Sequence, residues 1–196
     1  KDIINTNIKI VSPKIDIKRY FQNEDPTIMI NEIVKLSDPK KNSNTLYILP
    51  EGILSGIYFK ELKDYKDIFL RSFYKDENII LGTTINKNSN IYNSLVLMHS
   101  NLDVQSVYHK NDLVPFGEFL PLENFFHKLG IKKITQGYRS FSSSAKRDLI
   151  NYKDFKILPL ICYEIIYSGS LNKNKENYDF IVNISEDGWF GNSIGP

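Results

Sequence analysis

Cysteine is almost absent from this chain: Cys162 is the single one in 196 residues. One thiol excludes an internal disulfide and a zinc site built from several cysteines. Histidine is scarce as well, and the three present, His99, His109 and His127, are scattered rather than clustered. The sequence therefore predicts no bound metal.

Long hydrophobic runs are also missing. The apolar run from Ile157 to Tyr163 contains Pro159 and falls far short of the roughly 20 residues that a membrane-spanning helix needs. No signal peptide pattern is visible at the start of the chain. We therefore expect no membrane span within these residues.

Neither sign of charge is in excess. The chain has 25 basic and 23 acidic side chains, a formal net charge of +2. Such a balance argues against a nucleic-acid partner. With 41% hydrophobic residues, a chain of this length can bury a sizeable core, and we expect one domain covering residues 1–196.

The hydrophobic pattern predicts strands interleaved with helices, which is typical of an α/β layered fold. A hairpin turn is expected at Ser100–Asp103. The predicted strands are Ile8–Ser12, Thr45–Glu51, Ile79–Ile85, Asn93–His99, Val104–Lys110, Asp154–Tyr163 and Phe180–Ser185, and the predicted helices are Pro26–Leu36, Tyr58–Tyr74 and Leu122–Leu129.

Three polar residues follow predicted strands. Cys162 ends an apolar run, Glu51 ends the strand that begins at Thr45, and Lys110 ends the strand that begins at Val104. A strand end holds a side chain rigidly and leaves it reachable, although a lone cysteine is more often a small core residue. Together these residues would suit acyl transfer: a thiolate attacks, a carboxylate accepts the thiol proton, and an ammonium stabilises the oxyanion.

Longer strings make the pattern more specific. Residues 108–121 read YHKNDLVPFGEFLP, residues 161–164 read ICYE, and residues 183–191 read NISEDGWFG. With the preceding Pro50–Glu51 pair, they resemble the nitrilase (carbon–nitrogen hydrolase) superfamily, and within it the bacterial apolipoprotein N-acyltransferases. The resemblance extends from about Ile8 to the last residue.

The resemblance implies an α/β fold of the αββα sandwich type. Family members carry membrane helices before this domain, and more of the domain plus a last membrane helix after it. The resemblance therefore implies a sandwich that is incomplete at its C-terminus, comprising the first two-thirds or so of the catalytic domain.

The resemblance also implies roles for single residues. Glu51 matches the general base, Lys110 the catalytic lysine and Cys162 the nucleophile. Supporting positions are matched by Glu118, Tyr163 and Glu164. The chain departs from the family at Glu186–Gly191, where Asn-Asp-Ala-Trp-Phe-Gly is common, and at Leu49, where an aromatic residue is common.

The implied reaction needs no cofactor. A phospholipid would donate an acyl chain to Cys162, and the N-terminal diacylglyceryl-cysteine of a lipoprotein would accept it. The implied location is the bacterial inner membrane, contacted through segments outside this chain, with the catalytic domain on the periplasmic side. Phe116, Phe119 and Trp189 are candidates for a wall that binds the acyl chain. The two phenylalanines could equally be core residues, whereas Trp189, between Gly188 and Gly191, is expected to be exposed or to line a pocket.

Two other functions remain open at this point. The same three residues would serve a soluble nitrilase-type amidase or carbamoylase that cleaves a small C–N bond. Alternatively, a truncated domain would be inactive, because a half-built sandwich exposes a hydrophobic edge.

Overall fold

The computed structural model describes residues 6–13, 24–41, 43–119, 140–167, 169, 171 and 176–186. Among these residues, no helix combines the length and the hydropathy that crossing a membrane requires. The predicted helix Leu122–Leu129 lies outside the described residues, as does most of the last motif of the sequence.

The larger of the two sheets has five strands in the order of the chain. The first three strands are parallel, and the remaining pairings, β3 with β4 and β4 with β5, are antiparallel. The strands are β1 (Asn7–Ile10), β2 (Thr45–Ile48), β3 (Asn78–Lys87), β4 (Asn90–His99) and β5 (Val104–His109).

The antiparallel strands are joined by tight turns. Asn88 and Ser89 form a two-residue loop with φ angles of 51° and 65°, which suits the right-handed twist of a hairpin. The predicted turn between β4 and β5 is confirmed, since the His99 amide donates to the carbonyl of Asp103 at 2.9 Å.

Two α-helices, α1 (Pro26–Ser37) and α2 (Lys66–Ser72), pack on one face of this sheet. The expectation of one continuous helix from Tyr58 to Tyr74 is wrong, because Phe59–Tyr65 forms a 3-10 helix before α2 begins. The sequence spacing explains the difference. Phe59, Leu62 and Tyr65 recur every three residues and all contact the core, and only a three-residue turn keeps such side chains on one line.

The smaller sheet has three strands, β6 (Ile150–Tyr152), β7 (Phe155–Ile161) and β8 (Phe180–Ile184), in that order. Strand β7 is antiparallel to β6 and parallel to β8. Strand β6 was not predicted, because three residues are too few to show a period. It exists because Lys153, with a φ of 53°, turns the chain back onto β7.

Alternation along the strands of the larger sheet contributes side chains to two separate cores, one on each face. On β3 and β4, Ile79 and Val96 face the helices, whereas Ile80 and Leu95 face the second sheet. The second sheet contributes Ile157, Ile161, Val182 and Ile184 to the inter-sheet core. The described residues therefore supply three layers of the expected sandwich, a helix layer and two sheets, and the α/β fold prediction is confirmed.

A buried carboxylate fastens the N-terminal ends of β2 and β3. Glu77 is fully buried, and its Oε1 accepts hydrogen bonds from the hydroxyls of Tyr47 and Ser43, both at 2.8 Å. Its Oε2 accepts from the Tyr74 amide at 2.8 Å. Burial, followed by the hydrogen bond and charge of Glu77, raises the pKa of Tyr47, so this hydroxyl remains a donor.

Replacing Tyr47 by Phe removes one donor to a buried carboxylate while keeping the ring. We expect a loss of about 2 kcal/mol in the free energy of unfolding, because hydrogen bonds to charged groups contribute roughly 1.5–3 kcal/mol. Urea denaturation followed by circular dichroism measures it. Tyr92→Phe is the matched control, because within the described part of the chain its hydroxyl bonds only to the exposed Asn90 side chain, at 3.4 Å. An equal loss in both variants would contradict the assignment.

Candidate active site

Three strands deliver the predicted catalytic residues to one place between the sheets. Glu51 lies three residues beyond the end of β2, Lys110 directly follows β5, and Cys162 directly follows β7. The Nζ of Lys110 lies 3.6 Å from Oε1 of Glu51, and Cys162 is close enough to both for their charges to influence the pKa of its thiol. The structure thus brings together residues that are up to 111 positions apart (162 minus 51).

Lys110 is held between two carboxylates. Its side chain is only 1% exposed, and its Nζ lies 2.9 Å from Oε2 of Glu118 in addition to its contact with Glu51. Its backbone amide donates to Asn93 O at 2.9 Å, and its carbonyl accepts from Ser144 at 3.0 Å. A buried ammonium fixed at both backbone and side chain is a preorganised positive charge.

The thiol sits on a strained turn. Cys162 has a φ of 54°, a left-handed conformation that residues other than glycine and asparagine rarely adopt. It opens the 3-10 helix Cys162–Ile166 directly after β7. A sharp strand-to-helix turn of this kind presents a nucleophile at the end of a sheet, and strain is retained where the surroundings enforce it.

Asn93 joins the two carboxylates and was missed in the sequence. Its Nδ2 donates to Oε1 of Glu51 at 2.6 Å and to Oε1 of Glu118 at 2.7 Å. A signal was present: Asn93 lies two residues before Leu95 on β4, so strand alternation places a polar side chain on the inter-sheet face. A buried polar residue in line with core residues calls for a polar partner.

Gly82 permits Glu51 to approach the sheet. A Cβ at this position would lie 2.6 Å from the Cα of Glu51, 2.6 Å from the carbonyl oxygen of Pro50 and 2.9 Å from Cδ1 of Ile184. Two of these atoms are backbone, so they cannot move aside without displacing Glu51 itself. Only glycine fits where β3 passes behind the Pro50–Glu51 pair.

Glu164 is fully buried and holds the turn at Cys162 in place. Its side chain is therefore not a solvated group at the end of the strand. Its Oε2 accepts from the Ile161 amide at 2.9 Å, and its Oε1 accepts from the Asn111 amide at 2.9 Å. Both oxygens accept from the hydroxyl of Tyr108, and Arg147 Nη2 donates to Oε1 at 2.8 Å. Tyr108 and Arg147 were not predicted as site residues.

The aromatic candidates differ in placement. Phe116 is 39% exposed and has a φ of 63°, whereas Phe119 is half-buried. Both rings lie on a bend that places the Glu118 side chain beside Lys110. Two hydrogen bonds close this bend: Val114 N donates to Oε2 of Glu118 at 3.0 Å, and Phe116 N donates to Phe119 O at 2.8 Å. Tyr163 is exposed, and Trp189 lies outside the described residues.

Burial and charge set the protonation states. Burial raises the pKa of Glu51, and Glu118 adds to this effect against Lys110 and Asn93. Burial lowers the pKa of Lys110, but Glu51 and Glu118 outweigh it, so the net change is upward. Burial and the charge of Glu51 raise the pKa of Cys162 to about 11, against the opposing effect of Lys110. The resting site therefore holds a neutral thiol beside a strengthened base and a fixed cation.

Across the described part of the chain, no group of three or more histidine, cysteine, aspartate or glutamate side chains is placed to hold a metal ion. The chemistry that these residues offer is nucleophilic attack by a thiol with acid–base assistance.

A nucleophile turn between two sheets with a buried carboxylate and lysine is the arrangement expected of a carbon–nitrogen hydrolase. The carbon–nitrogen hydrolase family model matches residues 22–196, and the chain belongs to this family. The carbon–nitrogen hydrolase of Helicobacter pylori G27 shares the fold, with a TM-score of 0.60 at 14% identity over 92% of this chain and 59% of that one.

The curated relatives are more specific. The chain is 35% identical to the apolipoprotein N-acyltransferase of Wigglesworthia glossinidia brevipalpis over 98% of its length, and 38% identical to that of Rhodopseudomonas palustris over 98%. It covers 40% and 38% of these two relatives. The resemblance recognised in the sequence is therefore confirmed, and the chain spans about two-fifths of the relatives' length.

The charges around Cys162 predict how its alkylation depends on pH. With a pKa of about 11, about a hundredfold less thiolate is present near pH 8 than for a thiol at its ordinary value of 9.0. The rate of alkylation by iodoacetamide should therefore still rise at about pH 10. Peptide mass spectrometry of the Cys162 peptide measures this rate.

Two variants should move that profile in opposite directions. Glu51→Gln removes a negative charge and should shift the alkylation midpoint to lower pH, whereas Lys110→Met removes a positive charge and should shift it to higher pH. Lys35→Met, the same change on the exposed end of α1, should leave it unchanged. An unchanged midpoint in Glu51→Gln would contradict the contact between Glu51 and the thiol.

Proposed function

We propose that this site transfers an acyl group through a thioester on Cys162, with Glu51 as the general base and Lys110 as the oxyanion donor. The observation that carries the proposal is the strained turn that holds the thiol beside a buried carboxylate and a buried ammonium. The naming of the curated relatives supports N-acyltransfer to a lipoprotein rather than hydrolysis.

The first half-reaction acylates the enzyme. Glu51 takes the thiol proton, and the thiolate attacks the ester carbonyl of a phospholipid. Lys110 stabilises the oxyanion of the tetrahedral intermediate. The intermediate collapses by breaking the ester C–O bond, and Glu51 returns its proton to the departing lysophospholipid hydroxyl. The raised pKa of Glu51 suits this double role, because a carboxylate that binds a proton more readily is a better base.

The second half-reaction transfers the acyl group. The α-amine of an N-terminal diacylglyceryl-cysteine attacks the thioester, and Glu51 accepts a proton from the amine. The C–S bond breaks, an amide forms, and the thiolate recovers a proton. No redox step or added group is needed in either half-reaction.

The rest of the enzyme is part of the proposal. Because the chain covers about 40% of the relatives, we propose that it is the first part of a single catalytic domain in a longer protein. That protein would sit in the bacterial inner membrane with this domain on the periplasmic side. Its substrates would then reach Cys162 from the membrane surface.

A trapped intermediate tests the proposal. When the full-length protein is incubated with phospholipid and no acceptor, a hydroxylamine-labile acyl adduct should form on Cys162, because a thioester is the expected intermediate. Mass spectrometry of the Cys162 peptide detects it. Cys162→Ala should form none, and Cys162→Ser should be strongly impaired because its hydroxyl is far less acidic.

Companion variants test the other two roles. Glu51→Gln and Lys110→Met should each reduce acylation on the order of a hundredfold, which is typical of a lost base or oxyanion donor. Asp64→Asn and Lys35→Met change exposed charges away from the site and should be neutral. An acyl group on another residue, or full activity in Cys162→Ala, would refute the assignment.

Phe116 separates acyl transfer from small-amide hydrolysis. A partly exposed ring on the bend after Lys110 offers apolar surface to a lipid chain, and we propose that Phe116 makes this contact. Phe116→Ser should lower turnover of phospholipid severalfold while leaving the thermal midpoint nearly unchanged. Val104→Ser, at the far end of β5 and also exposed, is the control. Retained phospholipid turnover, or hydrolysis of small amides at a comparable rate, would favour the amidase alternative.

A further inference from the structure

Arg147 contacts four separate parts of the site from one side chain. Its Nε donates to the hydroxyl of Tyr108 at 3.0 Å, and its Nη1 donates to Leu171 O at 3.2 Å. Its Nη2 lies 3.0 Å from Asp112 Oδ2 and 2.8 Å from Glu164 Oε1. The side chain is only 8% exposed, so the guanidinium is nearly buried among these four partners.

Arg147 is connected to Cys162 and Lys110 through Glu164. On one side, Glu164 holds the Ile161 amide, which immediately precedes Cys162. On the other side, it holds the amides of Asn111 and Asp112, which immediately follow Lys110. One carboxylate therefore links the nucleophile turn of the second sheet to the lysine end of the first sheet.

The carboxylate alone would not stay in this position. A fully buried carboxylate needs a compensating positive charge, and among the described residues Arg147 provides one in contact with Glu164. The planar guanidinium is itself held in one orientation, because each of its three nitrogens has a different partner, and it therefore presents Nη2 to Oε1 of Glu164 in a fixed direction. A lysine at this position would supply the positive charge but not the planar set of donors that arginine has.

We propose that Arg147 is a positioning residue: through Glu164 it holds the strained Cys162 turn in register with Lys110. This inference rests on the proposed acyl transfer for its kinetic consequence, but its geometric consequence is independent of it. Arg147 touches neither Cys162 nor Lys110 directly, so it acts on both through the shared carboxylate.

The experiment compares Arg147→Gln and Arg147→Lys in the full-length protein. Lys146→Gln removes an exposed charge from the adjacent position. Tyr47→Phe is the control for stability, because it weakens the buried Glu77 network without touching the site. For each variant, acyl transfer gives kcat and KM for phospholipid, thermal denaturation gives the midpoint, and iodoacetamide alkylation gives the pH profile of Cys162.

We expect Arg147→Gln to lower kcat about tenfold or more with KM within about twofold, because displaced reacting groups slow chemistry more than binding. A relaxed turn admits water to the thiol, so the alkylation midpoint should move down from about 11 towards its ordinary value of 9.0. Tyr47→Phe should show neither change at a similar thermal midpoint. Arg147→Lys keeps the charge, so it tests the role even if Arg147→Gln does not fold. It should lower kcat less than Arg147→Gln does and more than Lys146→Gln does.

The two readouts keep this inference distinct from the proposed function. If the wild-type protein shows no acyl transfer but Arg147→Gln still shifts the alkylation midpoint, the proposed function fails and the positioning role stands. If kcat and the alkylation midpoint in both Arg147 variants change no more than in Tyr47→Phe, Arg147 is an ordinary structural ion pair and the inference is overturned.

Discussion

The buried ammonium of Lys110 is the interaction on which the rest of the site depends. Burying an unpaired lysine is costly, and the protein meets this cost with two carboxylates, Glu51 and Glu118, that would themselves be costly to bury alone. Asn93 then donates to both carboxylates and bridges them. Each polar group is tolerable only because the others are present, so the cluster is stable as a set.

The two-sheet architecture makes this cluster possible. The residues come from strand ends of different sheets, and the inter-sheet core of residues such as Leu95 and Ile157 sets the spacing between them. The absence of a side chain at Gly82 lets the Glu51 backbone lie against β3. Apolar packing thus fixes the separation, and the polar cluster fills it, which keeps the partly exposed thiol of Cys162 near the buried carboxylate of Glu51.

Burial and the surrounding charges keep the thiol of Cys162 protonated in the resting site. Glu51 disfavours the thiolate and Lys110 favours it, with burial shifting the balance towards the neutral thiol. In the proposed mechanism, the proton leaves Cys162 as Glu51 accepts it, so formation of the nucleophile would depend on Glu51. The strained turn, fastened by Glu164 to the strand that carries Lys110, maintains this arrangement before any substrate arrives.

By itself, the sequence determined the α/β layering and most strands to within a few residues, because strand alternation is a local pattern. It also offered Glu51, Lys110 and Cys162 as candidates at strand ends, and Glu118 through the family resemblance. The structure brings these four residues together. The tertiary structure alone decided that Asn93 bridges the carboxylates, that Arg147 and Tyr108 hold Glu164, and that Tyr58–Tyr74 divides into a 3-10 helix and α2. Those features depend on contacts between residues that are distant in sequence. Hydrogen bonds between such residues produce no periodic pattern along the chain, so the sequence alone does not predict them.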